Sequence, residues 1–235
     1  MKLLSHKALV AGLSLLLASQ ALAVELTPHR AEYKVRISVV SGQLNTELRA
    51  TETGYVATHI VKPTGVSRML TNGKMEVSSE FTIANDSLRP VSYHAIDTIG
   101  DDPEAKITFD WQTNQARGTV GDEDVVLQLD GLSHDAVSIQ YDLMYNLIND
   151  KPNATYVLFD VDKMRVANVR NVGKKTVKTK LGNFEVVGIE HQKEGSSRKT
   201  ILWCAPKLDY LPVVIEQQRK GKVTFRASLT EYVPL

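Results

Sequence analysis

Cysteine is nearly absent. Cys204 is the only one in 235 residues, so no disulfide can form within the chain. A lone thiol reads either as a nucleophile or as a small buried apolar side chain in Thr200-Ile201-Leu202-Trp203-Cys204. Long apolar runs are also missing beyond the first 23 residues, which excludes a membrane-spanning helix there. No Cys follows Ala23, so no lipid anchor is expected at that point. There is no internal repeat and no low-complexity tract, and no Pro/Gly/Ser linker divides two domains. The G-x-S-x-G and H-E-x-x-H motifs do not occur, which leaves an α/β-hydrolase esterase or a zinc protease without support. Gly173-Lys174-Lys175-Thr176 lacks the earlier glycine of a phosphate-binding loop.

What is present begins at the N-terminus. Lys2 and Lys7 precede an apolar run from Ala8 to Ala18, and Ala21-Leu22-Ala23 supplies small residues for a signal peptidase. This predicts a signal peptide over residues 1–23, cleaved after Ala23, and a soluble periplasmic protein over 24–235. Charge is uneven along that remainder. Val24 to Asp162 carries 21 acidic and 11 basic side chains, whereas Lys163 to Leu235 carries 6 and 15. The asymmetry reads as two halves lying against each other, or as an anionic partner; nucleic acid is not expected.

Two-residue alternation dominates. Tyr33, Val35, Ile37 and Val39 alternate with Lys34, Arg36 and Ser38; after Ser41-Gly42, Leu44, Thr46, Leu48 and Ala50 alternate with polar residues, which predicts a hairpin. Met75 to Ile83, Lys106 to Trp111 and Lys222 to Leu229 repeat the pattern, and Gly182-Asn183 marks a second tight turn. Between Ser133 and Asp150 the period changes. Ala136, Ile139, Leu143, Met144, Leu147 and Ile148 follow helical spacing, with Ser133 as N-cap and Pro152 just beyond. The prediction is a mainly β, single antiparallel, strongly curved sheet or barrel-like domain, with one amphipathic helix at about 133–150 packed on it.

Chemistry-bearing groups are scattered. His94 and Asp97 fall on opposite faces of an extended strand, so no metal site is expected there. Asp101-Asp102-Glu104 and Asp122-Glu123-Asp124 read as solvated turns rather than calcium loops. Asp160 and Asp162 face the same way from one strand and read either as an acid–base pair or, since they flank a hairpin, as residues that suit turn geometry. Lys163, Arg165, Arg170, Lys174, Lys175, Lys178 and Lys180 occur with no acid between them. They read as a patch for an anionic lipid headgroup, glycan or protein partner, or as a solvated strand face guarded by lysine.

Three stretches resemble the domain-of-unknown-function family DUF3108. They are Ser133-His134-Asp135-Ala136-Val137-Ser138-Ile139-Gln140-Tyr141, Lys180-Leu181-Gly182-Asn183-Phe184-Glu185-Val186, and Leu202-Trp203-Cys204-Ala205-Pro206-Lys207-Leu208-Asp209-Tyr210-Leu211-Pro212-Val213-Val214-Ile215-Glu216. The resemblance implies an exported, β-rich bacterial protein of unassigned activity. Its implied architecture is similar to curved-sheet periplasmic carriers of lipoproteins, in which a sheet wraps around helices. Trp203 and Tyr210 are candidates for lining a ligand cleft, as are Trp111, Tyr141 and Tyr145; the alternative for them is core or corner packing. The expected function is non-enzymatic binding of an apolar or amphipathic envelope ligand, without a cofactor. The rivals are an assembly factor docking on another envelope protein and a glycan-acting enzyme using Asp160 or Asp162.

Overall fold

The computed structural model describes residues 24–37, 40–69, 71–100, 102–160 and 163–235. The leader expected over 1–23 and the second carboxylate of the acid–base pair, Asp162, lie outside the described residues.

The alternating segments become strands. They are β1 His29–Ile37, β2 Val40–Ala50, β3 Tyr55–Pro63, β4 Met75–Ala84, β5 Ser87–Asp97, β6 Ala105–Asp110, β7 Gln115–Val120 and β8 Glu123–Gln128. A two-residue strand, β9 Ser133–His134, and the helix α1 Ser138–Ile148 follow, then β10 Thr155–Asp160, β11 Lys163–Thr179, β12 Gly182–Lys193, β13 Arg198–Ala205, β14 Leu211–Arg219 and β15 Lys222–Pro234. In β1 the inward set is His29, Ala31, Tyr33 and Val35; it meets Leu48, Thr46, Leu44 and Gly42 across the ladder of β2. One face of each strand is thereby removed from water, which is what the period of two encodes.

All fifteen strands among the described residues belong to one sheet, ordered β8-β7-β6-β5-β4-β3-β2-β1-β15-β14-β13-β12-β11-β10-β9. Two meanders, one on each side of α1 in sequence, are stitched at the centre by the pairing of β1 with β15. The pairings are antiparallel except for β9 on β10. The sheet is curved and unclosed: its ends, β8 and β9, are not ladder partners among the described residues, although β8 comes against β11. Irregularities in register at Glu32/Tyr33, Glu80/Phe81, Asn171/Lys174, Trp203/Cys204 and Gln217/Gln218 supply local bends. Gly173, at φ 101, sits in the longest of these.

Two expectations need correction. The Ser41-Gly42 turn is not a turn: both residues lie within β2, opposite Arg36 and Val35, and residues 38–39 lie outside the described residues. The helix begins at Ser138, not Ser133, because Ser133 and His134 pair in parallel with Val157 and Leu158. Ser133 is therefore no N-cap. Asp135 does that work, its Oδ1 accepting the N–H groups of Val137 and Ser138 at 2.8 Å each. Nor is α1 amphipathic in its setting: every residue from Ser138 to Asn146 is buried.

Candidate functional site

Burial on all sides forces the polar residues of α1 to find partners inside the sheet. Asp135 anchors the helix start to β4 by accepting the Ser79 hydroxyl at 2.7 Å, while Ser138 Oγ accepts the Asp135 N–H at 3.0 Å. Burial raises the Asp135 carboxyl above its ordinary range against the pull of these hydrogen bonds. One flank of α1 carries Tyr141, stacked on Phe81 with ring centres 5.5 Å apart and bonded through its hydroxyl to His59 Nε2 at 3.2 Å. The other flank, Ile139 and Leu143, packs with Tyr156, Leu158, Ile189, Leu202 and Cys204. Between the flanks, Asn146 Nδ2 donates to Asp142 Oδ2 at 2.6 Å and to the Tyr156 hydroxyl at 3.2 Å. Burial pushes the Asp142 carboxyl up to about 6.

A cleft of about 560 Å³ opens where the start of α1 faces β3 on one side and β10 to β14 on the other. Its floor is apolar: Ile139, Leu158, Phe159, Leu202 and Ile215. Its rim is charged, with Arg165, Lys193 and Arg198 against Asp160 and Glu194. Asp160 is bound by Lys193 and by Arg165, both at 2.7 Å. Burial opposes ionisation of Asp160, but the two cations outweigh it and hold the carboxyl below its usual range. Arg198 is exposed and makes no ion pair with any described residue. Two imidazoles line the walls. Burial lowers both His59 and His191 to about 4, with His29 adding to the effect on the first and Lys193 on the second. Both rings are neutral acceptors or donors at neutral pH.

The aromatic candidates do not gather at this cleft. Trp203 lies opposite Leu202 and Cys204, packed over Gly188, with its Nε1 on Glu216 Oε2 at 3.2 Å and the Lys175 ammonium 3.4 Å from its ring centre. Trp111 donates to the Pro90 carbonyl at 2.7 Å beneath Arg89. Tyr141, on α1, is fully enclosed against the sheet. Tyr145 is buried at the wall of a separate cleft with Glu25, Glu52 and Asp86, and Tyr210 lines a third, of about 480 Å³, with Leu143, Leu147 and Lys174.

The basic stretch is likewise spread along the 17-residue β11, with Lys180 just past its end. Arg165 turns to the main cleft, and Arg170 pairs with Glu190 at 2.7 Å. Lys174 lies at the third cleft and Lys175 over Trp203, while Lys178 and Lys180 stand exposed near the β11–β12 turn. Lys163 faces Asp160 across the β10–β11 ladder. Cys204 is buried, which drives its thiol far up in pKa and leaves it inert. Among the described residues, no group of three metal-binding side chains comes together.

Sequence reasoning missed His59, Gln140, His191, Lys193, Arg198 and Gln217, all lining the main cleft. For some of them the signal lies in residues two apart: Leu158 with Asp160, Ile189 with His191, Leu202 with Thr200, and Ile215 with Gln217. In each strand the inward face turns from apolar to polar at one end, which marks a mouth.

The family model described as "Protein of unknown function (DUF3108)" matches residues 29–228. No curated protein matches the chain. Among solved structures, the chain is similar to a beta-barrel-like protein of domain of unknown function DUF1849 from Brucella abortus. The TM-score is 0.61 at 13% identity, over 90% of this chain and 99% of that one. The likeness is one of fold. No helix among the described residues is long and apolar enough to cross a membrane.

Proposed function

The chain belongs to the DUF3108 family, and from that premise we propose that it is an exported periplasmic protein that binds, without chemical conversion, an amphipathic ligand with an anionic head. The observation that carries the reading is the main cleft, where an apolar floor meets a rim on which Arg165 and Lys193 are taken up by Asp160 while Arg198 is not. Its volume of about 560 Å³ lies within the ordinary range of small-molecule sites, about 300 to 1,000 Å³. The leader pattern over residues 1–23 supports the compartment. Asp160 speaks against proton-transfer chemistry, since a carboxyl clamped in its ionised form by two cations is a poor acid and a weak base.

Titration with a fluorescent fatty-acid analogue tests the reading, alongside mass spectrometry of organic extracts from protein purified out of its envelope fraction. Arg198→Glu is expected to weaken binding of the anionic probe about tenfold or more, on the scale of a lost charge-assisted contact, and to leave an uncharged alcohol analogue unaffected. Ile215→Trp, which fills the floor, is expected to abolish both. Binding indifferent to both substitutions would remove this cleft from the function.

A second reading, a docking factor, draws on β8. Its outer backbone edge has no ladder partner among the described residues, and Val126 on it is 64% exposed. Crosslinking in intact cells separates the two, since a docking factor returns a stoichiometric protein partner.

A further inference from the structure

The segment before β1 is fastened at every step although it forms no secondary structure. The Val24 N–H donates to Asn149 Oδ1 at 2.7 Å, and Asn149 Nδ2 donates back to the Val24 carbonyl at 3.0 Å. The same amide nitrogen reaches the Tyr145 carbonyl at 2.9 Å. Leu26 is buried, Thr27 Oγ1 donates to Asp209 at 2.7 Å, and the Pro28 carbonyl accepts the Leu235 N–H at 2.9 Å. Asn149 is the residue that caps the end of α1, so the Val24 nitrogen stands at the helix terminus where unsatisfied carbonyls concentrate negative potential. The cleft beside it, about 790 Å³, is lined by Glu25, Glu52 and Asp86; Lys151 answers Asp86 at 2.9 Å.

We propose that Val24 is a capture site for a newly made α-ammonium: hydrolysis of the Ala23–Val24 bond creates the cation that Asn149 and the end of α1 hold. The proposal rests on the export reading, which supplies the peptidase. Water adds across the amide, leaving a carboxylate on Ala23 and an ammonium on Val24. Before cleavage the nitrogen offers one N–H and no charge. Afterwards it offers three donors and a full positive charge, next to Glu25, at a position that favours cations. Processing would then do more than discard a leader: it would tie the chain start to the helix that contributes Ile139 to the floor of the main cleft.

A chain released to begin at Val24 by site-specific proteolysis of a fusion tests capture independently of export. With ¹⁵N-labelled valine, the α-amino group is expected to titrate at least half a unit above its ordinary value of about 7.7–8.0. Acetylating it is expected to lower Tm by about 2 °C. The same acetylation in Asn149→Ala is expected to have a smaller effect than in the unsubstituted chain. An α-amino group that titrates at its ordinary value overturns the proposal, whatever the melting temperature does. N-terminal sequencing of protein from the envelope fraction tests the premise separately: a start other than Val24 defeats processing at this bond without touching the capture measurement.

Discussion

Lowering the pH from 7 to 4 is expected to destabilise the protein by on the order of 5 kcal/mol, read as a falling urea midpoint. The cause is a set of histidines that the fold keeps neutral. Burial lowers His134 to about 3, His59 and His191 to about 4, and lowers His29 despite the opposing Thr27 carbonyl and Asp209. In the unfolded chain each imidazole takes up a proton near pH 6.5, and in the folded chain it does not until well below that. Between these values the unfolded state binds more protons, so stability falls as pH falls, beginning near 6.5 and ending near 3 where His134 itself becomes charged. Asp142 works the other way. Its folded value of about 6 exceeds that of a free carboxyl, so its protonation favours the folded state between about 6 and 4 and offsets on the order of 2 kcal/mol. The raised Asp135 has the same sign.

His134 isolates the effect. It is fully buried, its two ring nitrogens have no hydrogen-bond partner among the described residues, and its ring meets Tyr156 edge-on at 5.5 Å. Asp142 Oδ1 lies 3.9 Å from Nε2, too far for a hydrogen bond, so the carboxylate does not hold the ring charged. Replacing an unpaired buried polar group by an apolar one of similar size costs little, because the penalty of desolvation disappears with the group. His134→Leu is therefore expected to leave stability at pH 7 unchanged or higher, and to remove on the order of 3 kcal/mol of the loss between pH 7 and 4. An unaltered pH dependence in this variant would show that the acid transition arises elsewhere.

The contrast between legible and illegible features follows from what one sequence period can encode. Alternation reports which face of a strand is dry, so the strands and the interruption by α1 could be read directly from runs such as Tyr33-Lys34-Val35. The same signal is silent about pairing over long distances, and nothing local announces that β1 joins β15. Helical spacing located α1 but misplaced its start, because Ser133-His134-Asp135 satisfies capping rules as well as it satisfies a short parallel bridge. The cleft was the least legible feature. Its lining comes from β3, α1 and five later strands, and the residues that matter, such as His59 and Arg198, are separated by more than a hundred positions. Aromatic residues drew attention because large amphipathic rings favour ligand sites, yet the same property suits them to cover backbone.

Trp203 is the clearest case, and it supplies a double-mutant test. The indole lies across from Gly188 in the β12–β13 ladder, where a Cβ would come within 2.6 Å of ring atom Cζ3 and 2.7 Å of Val172 Cγ2. The glycine is thus required by the ring and by Val172 rather than by its own backbone angle. Gly188→Ala is expected to cost about 1–3 kcal/mol by forcing the packed ring to shift, and Trp203→Ala about 3–5 kcal/mol through the void it leaves and the loss of the Glu216 contact. The two should not add. With the ring gone, only Val172 Cγ2 still crowds the added methyl, so the second substitution should cost less than it does in the unsubstituted protein. Urea unfolding of the four chains measures the coupling directly. Strict additivity would mean that the ring does not rest on Gly188. Trp203→Phe, which keeps most of the apolar cover, is expected to bind the anionic probe as well as the unsubstituted protein does, because the ring faces away from Leu202 and the cleft floor. A loss of affinity in that variant would return Trp203 to the binding site.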